Sequence, residues 1–147
     1  MKLITRNTDY AVRALCYIAE QKQEVISGDQ LVKSLEMPRP FLRKILQTLN
    51  KEGLLNSSKG KGGGFALAVS PGEITLTDVM KIFQGSIRLD EHKFKKSDCP
   101  YISDCLLKKK IDVIEKEVIA KLKAITIASI LKKEVKVNDQ EVRSLQM

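Results

Sequence analysis

Four of the five residues from 60 to 64 are glycine, and the run carries Lys59 at its edge and Lys61 inside it. Glycine accepts the positive φ angles that a tight reversal needs. On either side lie two short stretches with strand character, Leu54 to Ser58 and Phe65 to Val69. The run is therefore the tip of a β-hairpin. What precedes it narrows the fold further. Leu42, Ile45, Leu46 and Leu49 recur at helical spacing, which predicts a helix that buries one stripe. That helix begins near Arg39 or Pro40, because proline is tolerated in a first turn. Gly53 is its natural stop. Upstream, Ser27 and Gln30 have the spacing of a capping box, ahead of a short helix with Leu31, Val32 and Leu35 inward. Glu36, Met37 and Pro38 end it. Two short helices joined by a tight turn, then a basic hairpin, form a winged helix-turn-helix pattern.

The flanking segments complete the plan. Tyr10, Ala11, Val12, Ala14, Leu15, Ile18 and Ala19 predict a well-buried first helix from about Thr8 to Gln21, with Asp9 and Arg13 on its polar side. Pro71 and Gly72 end the hairpin unit. Thr77 is expected to cap another helix carrying Val79, Ile82 and Phe83, which Gly85 closes. Residues 86–104 lack periodicity and form a loop of a length that suggests function or disorder. From about Cys105, the stripe Leu107, Ile111, Ile114, Val118, Leu122 and Ile125 predicts one long amphipathic helix, of the kind that packs on a second copy of the chain. Thr126 can cap a short closing helix, Ile127 to Leu131, and residues 132–147 are a polar tail. The expected fold is mainly α with a small β-hairpin. It divides into a winged helix-turn-helix domain over 1–85, a sensor loop over 86–104, a dimerisation helix with its closing helix over 105–131, and a tail over 132–147.

Lys and Arg number 26 against 18 Asp and Glu, a net charge of +8. Its placement says more than its size. Arg39, Arg43, Lys44, Lys51, Lys59 and Lys61 fall in one short stretch whose only acid is Glu52, so +5 of the charge lies there. Such a concentration suits a polyanion. Double-stranded DNA binding needs a helix that presents side chains to the major groove and cations that neutralise phosphates. Arg39, Pro40, Phe41, Arg43 and Lys44 are the candidates for the first task, with Arg reading guanine and Phe or Pro touching a thymine methyl. Lys59 and Lys61 are the candidates for the second. The alternative is a protein-interaction module with a solvated basic face. A phosphate-binding enzyme loop is excluded, since the glycine run lacks the Lys-Ser/Thr ending of a P-loop. No nucleophile–base pair or carboxylate dyad stands out, and the single His limits acid–base chemistry, so no enzyme is expected. Arg6, Asp9 and Arg13 interrupt anything resembling a signal peptide, and no apolar run approaches a bilayer span. The expected location is the cytoplasm.

The opening run from Met1 to Leu15, with Asp9, Tyr10, Ala11, Val12 and Arg13, resembles the start of the BadM-type bacterial regulators, which include IscR, NsrR and CymR. Lys59 to Phe65 resembles their wing, and Ile125, Thr126, Ile127 and Ala128 their closing helix. The likeness covers roughly residues 1–131 and implies a homodimer bound to a palindromic operator.

Three cysteines in such a chain point to core packing, redox chemistry or metal. Cys16 falls on the buried first helix and is expected to be a core residue. Cys99 and Cys105 fall in the loop before the long helix. They are similar to the second and third cysteines of the cluster-binding family members, which implies an iron–sulfur cluster, [2Fe–2S] or [4Fe–4S]. The first cysteine of that pattern is missing here: the region reads Asp90, Glu91, His92, Lys93 and Phe94. His92 and Asp9 are the candidate substitutes, Asp9 by its likeness to an N-terminal carboxylate of NsrR-type members that comes from the other subunit. Glu91 is a weaker one. A zinc site, a Cys99–Cys105 disulfide, and a clusterless regulator that responds to a small molecule, thiol oxidation or a partner protein remain open beside it.

Overall fold

The computed structural model describes residues 2–89 and 104–132. Six α-helices and one hairpin follow in chain order: α1 (Arg6–Glu20), α2 (Gly28–Leu35), α3 (Arg39–Lys51), β1 (Leu55–Ser58), β2 (Gly64–Leu67), α4 (Leu76–Gln84), α5 (Leu106–Lys123) and α6 (Ile127–Leu131), with a short 3-10 turn at Pro71–Glu73. The expected winged helix-turn-helix with a long C-terminal helix is what forms. The stripe of α3 is fully inward, with Leu42, Ile45, Leu46 and Leu49 all buried. It meets Ala11, Ala14 and Leu15 of α1 and Leu31 of α2 in one core. Removing that much apolar surface from water is the main force holding the three helices together.

The ends of several elements differ from the sequence expectations. α1 starts at Arg6, earlier than Thr8, because Thr5 is its cap and accepts the Thr8 N–H at 3.4 Å. Thr8 is itself buried, and its hydroxyl donates to Gln84 Oε1 at 2.7 Å. The same Gln84 amide accepts from the Thr5 N–H and donates to the Leu3 carbonyl, so one side chain ties the start of α1 to the end of α4. Ser27 caps α2 by accepting the Gln30 N–H, but Gln30 does not reach back. Its amide donates to the Tyr17 hydroxyl instead, so the box is only half formed. The cap of α4 is Thr75, not Thr77. Thr75 has Asp78 three residues on, and the two close a reciprocal capping box. Thr77 turns inward and is buried.

β1 and β2 pair antiparallel with Leu55 opposite Leu67 and Ser58 opposite Gly64. The hairpin does not stand alone. Ile26, in the loop before α2, exchanges both backbone hydrogen bonds with Phe65, at 2.9 and 2.8 Å, and so adds a third rung beside β2. A Cβ on Gly64 would sit 2.2 Å from the Ile26 carbonyl oxygen, so only glycine allows this approach.

At the far end, Thr75 pairs with Thr126. The Leu76 N–H donates to the Ile125 carbonyl and the Ile127 N–H to the Ile74 carbonyl. Thr126 and Ser129 form the capping box of α6, and Ile127 is buried in the same core as α1 and α3. Along α5 the stripe behaves differently at its two ends. Leu122 is buried, whereas Leu107 and Ile114 stand 66% and 47% exposed, and the neighbouring Leu106 and Val113, outside the expected stripe, widen this exposed apolar face. Ile125 falls beyond the helix, which ends at Lys123. None of the described helices is long and apolar enough to cross a membrane.

Candidate nucleic-acid interface

Pro38 turns the chain after Glu36, whose backbone takes the left-handed conformation at φ 51°, and α3 begins at once. Pro40 lies in its first turn, where a missing N–H costs nothing. With one face of α3 committed to the core, the opposite face is fixed by the helical period. Arg39, Arg43, Gln47 and Asn50 follow at intervals of four, four and three, so they form a single row. This row is one wall of an open groove of about 460 Å³. Ser57, Ser58 and Lys59 of the wing line it from the hairpin side, with Gly28, Gly64 and Phe65 also in its lining. No carboxylate lines it. Three cations and two amides therefore face one channel between the second helix of the pair and the wing.

Of the residues expected to meet DNA, the structure brings Arg39, Arg43 and Lys59 together on this groove. Pro40, Lys44 and Lys61 are exposed but are not among its lining residues. Phe41 is only partly exposed. Its ring packs edge-on against Tyr10 of α1, with centroids 5.2 Å apart and planes at 85°. Arg39 is paired with Asp29, in the first turn of α2. Both side chains are largely exposed, so the pair adds little stability. Gln47 and Asn50 are absent from the sequence expectations. Their signal was present, since each continues the row begun by Arg39 and Arg43. Amide side chains of this kind can bond adenine through both edge groups.

The expected metal ligands are less assembled. Cys99, His92 and Glu91 lie outside the described residues. Cys105 is the N-cap of α5, and its Sγ accepts the Lys108 N–H at 3.4 Å. Asp9 Oδ2 accepts from Arg13 Nε at 3.0 Å, one turn along α1. Among the described residues no three His, Cys, Asp or Glu side chains converge. The described donor set is thus one half-buried thiol and one carboxylate already paired. Cys16 packs against the core as expected. Burial pushes its thiol up from the usual range, and Glu20 adds to that.

Residues 4–133 match the family model described as Rrf2, iron-dependent transcriptional regulator. The chain belongs to the Rrf2 family. An Aquifex aeolicus protein that carries the name of an HTH-type transcriptional regulator is 30% identical to this Rrf2 chain over 129 residues, covering 86% of this chain and 90% of that one. The regulator NsrR of Shouchella clausii is 35% identical over 89 residues, 60% of each chain. Among solved structures, CymR of B. subtilis, the global cysteine regulator, superposes with a TM-score of 0.71 at 19% identity, over 89% of this chain and 97% of that one. IscR of T. potens gives 0.67 at 23% identity, over 100% and 92%. These two likenesses are of fold. Rrf2 proteins are transcriptional regulators and not enzymes, and this chain is a regulator of the DNA-binding type.

Proposed function

We propose that this Rrf2 regulator works as a homodimer on a palindromic operator, with α3 of each copy in a major groove. The observation that carries the reading is the acid-free groove in which Arg39, Arg43 and Lys59 meet. Arg39 and Arg43 read base edges from the start and middle of α3, Pro40 and Lys44 flank them, and Lys59 and Lys61 neutralise phosphates across the adjacent backbone. The exposed stripe of α5 supports the dimer: Leu106, Leu107, Val113 and Ile114 form an apolar face that a second α5 would cover.

Regulation is proposed to enter where Cys105 begins that helix. An iron–sulfur cluster held by Cys99, Cys105, His92 and Asp9 is supported by the family's description as iron-dependent. When bound, such a cluster supplies a group that reacts with oxidants or nitric oxide. Cys105 as N-cap would tie it directly to the helix carrying the dimer face. A clusterless regulator is favoured by one observation, the engagement of Asp9 with Arg13.

The DNA reading is tested with a duplex selected from a random pool. Arg43→Ala is expected to lose specific binding while keeping the wild-type melting curve; unchanged selectivity in that variant would sink the assignment of α3. For the sensor, protein purified without oxygen is assayed for visible absorption, iron and acid-labile sulfide. Loss of all three in the double variant Cys99→Ser, Cys105→Ser supports the cluster. A colourless wild type that still binds DNA leaves the clusterless regulator.

A further inference from the structure

We infer that Arg6 is a further DNA-phosphate contact of the head, held in position by Tyr10 and Phe41. Arg6 opens α1, where a cation faces the positive end of the helix and gains nothing from it. Its position is nevertheless well defined. The guanidinium carbon lies 5.3 Å from the Tyr10 ring centre and 5.9 Å from that of Phe41, and Nε donates to the Tyr10 hydroxyl at 3.2 Å. Tyr10 and Phe41 brace each other edge-on. Because Phe41 is the third residue of α3, this stack fixes the cation beside the leading end of the helix that faces the groove.

Among the described residues the charge is also left without a counter-ion. Asp9, the acid in the same turn, is occupied by Arg13, and Arg39 is matched by Asp29. Among the described residues no carboxylate pairs with Arg6, and its two terminal amino groups remain free to donate. A pre-ordered planar fork with free donors suits the two oxygens of a phosphodiester. The arrangement also reassigns Phe41. A ring engaged with Tyr10 and Arg6 is a positioning residue for the cation and not a reader of thymine.

The inference rests on the proposed DNA-binding reading, and the experiment separates the two. Dissociation constants are measured across a salt series for the selected duplex and an unrelated one, with wild type, Arg43→Ala, Arg6→Gln, Arg6→Lys and Phe41→Leu. Arg6→Gln is expected to weaken both duplexes by the same several-fold factor and to lower the salt slope by about one, with an unchanged melting curve. Arg6→Lys restores the slope. Phe41→Leu weakens both duplexes and leaves base preference intact. Wild-type affinity and slope in Arg6→Gln would overturn the inference while the DNA reading stands, as would an altered base preference at one position in Phe41→Leu. A wild-type protein with no salt-dependent binding would overturn both.

Discussion

Gly64→Ala is the sharpest test of how the wing is held. The added Cβ would lie 2.2 Å from the Ile26 carbonyl oxygen, 2.6 Å from its carbon and 2.9 Å from the Ser27 Cα. All three are backbone atoms, so no side chain can swing away. An ordinary carbon–oxygen contact is about 3.3 Å or longer, so the two segments must part by roughly 1 Å. That displacement takes both Ile26–Phe65 hydrogen bonds, now 2.9 and 2.8 Å, out of range. At about 0.5–1.5 kcal/mol each, the loss is about 2 kcal/mol. For a chain of this size it lowers the melting temperature by roughly 8 °C. Two other glycines serve as controls. Gly72 has open space around it, so Gly72→Ala should stay within about 0.5 kcal/mol of wild type. Gly60, with φ 88° and equally open space, costs about 1–2 kcal/mol through backbone conformation alone and leaves the Ile26 rung intact. Thermal unfolding followed by circular dichroism measures all three, and amide exchange at Phe65 distinguishes the first from the last. If Gly64→Ala melts within a degree of Gly72→Ala, or Phe65 stays as protected as in wild type, the Ile26 rung does not hold the wing.

Three further predictions follow from the packing. Leu107→Glu with Ile114→Glu puts charges into the exposed stripe of α5, and sedimentation should report a monomer at concentrations where wild type is a dimer; an unchanged mass would move the interface elsewhere. Ile127→Ala empties a fully buried site and should cost about 2–5 kcal/mol by denaturant titration, a loss that a merely peripheral α6 would not produce. Cys16, whose thiol burial and Glu20 push up, should react with alkylating reagents far more slowly in the folded than in the unfolded chain near pH 8. Because the unfolded thiol ionises first, wild type should lose stability relative to Cys16→Ala as pH rises past the ordinary thiol pKa of about 8.5, and parallel pH profiles for the two would refute the buried environment.

What was legible in the sequence is what repeats or is chemically forced. The α3 stripe showed because four leucines and isoleucines alternate with charged residues at the helical period, and all four are buried. The wing showed because only glycine fills four of five positions in a reversal of this kind. Local rivalry was harder. Thr75 and Thr77 are both able caps, and only the Asp at the third place after Thr75 decides between them. Gln30 had the right spacing to reach back, but the Tyr17 hydroxyl from another helix claimed it. The Ile26 rung and the Tyr10–Phe41 contact join residues far apart in the chain, and no local pattern announces such pairs. In the candidate site, Arg39, Arg43 and Lys59 were found by charge. Gln47 and Asn50 carry no charge to mark them, and they line the groove because they continue the helical row of Arg39 and Arg43.

The seam at Thr75 and Thr126 bears on how the protein is made. α6 packs on α1 and supplies Ile127 to the core, yet it follows the whole of α5 in the chain. A ribosome delivering about 5–20 residues per second takes roughly 2–8 s to pass from Gly85 to Ile127. Throughout that interval α1, α2 and α3 have been made without the residue that seals their core. α5 is made in the meantime, and its apolar face has no cover within the described chain. The apolar face of α5 and the latch that completes the head are thus consecutive products of synthesis, and a released chain truncated before Thr126 would leave both apolar surfaces uncovered at once.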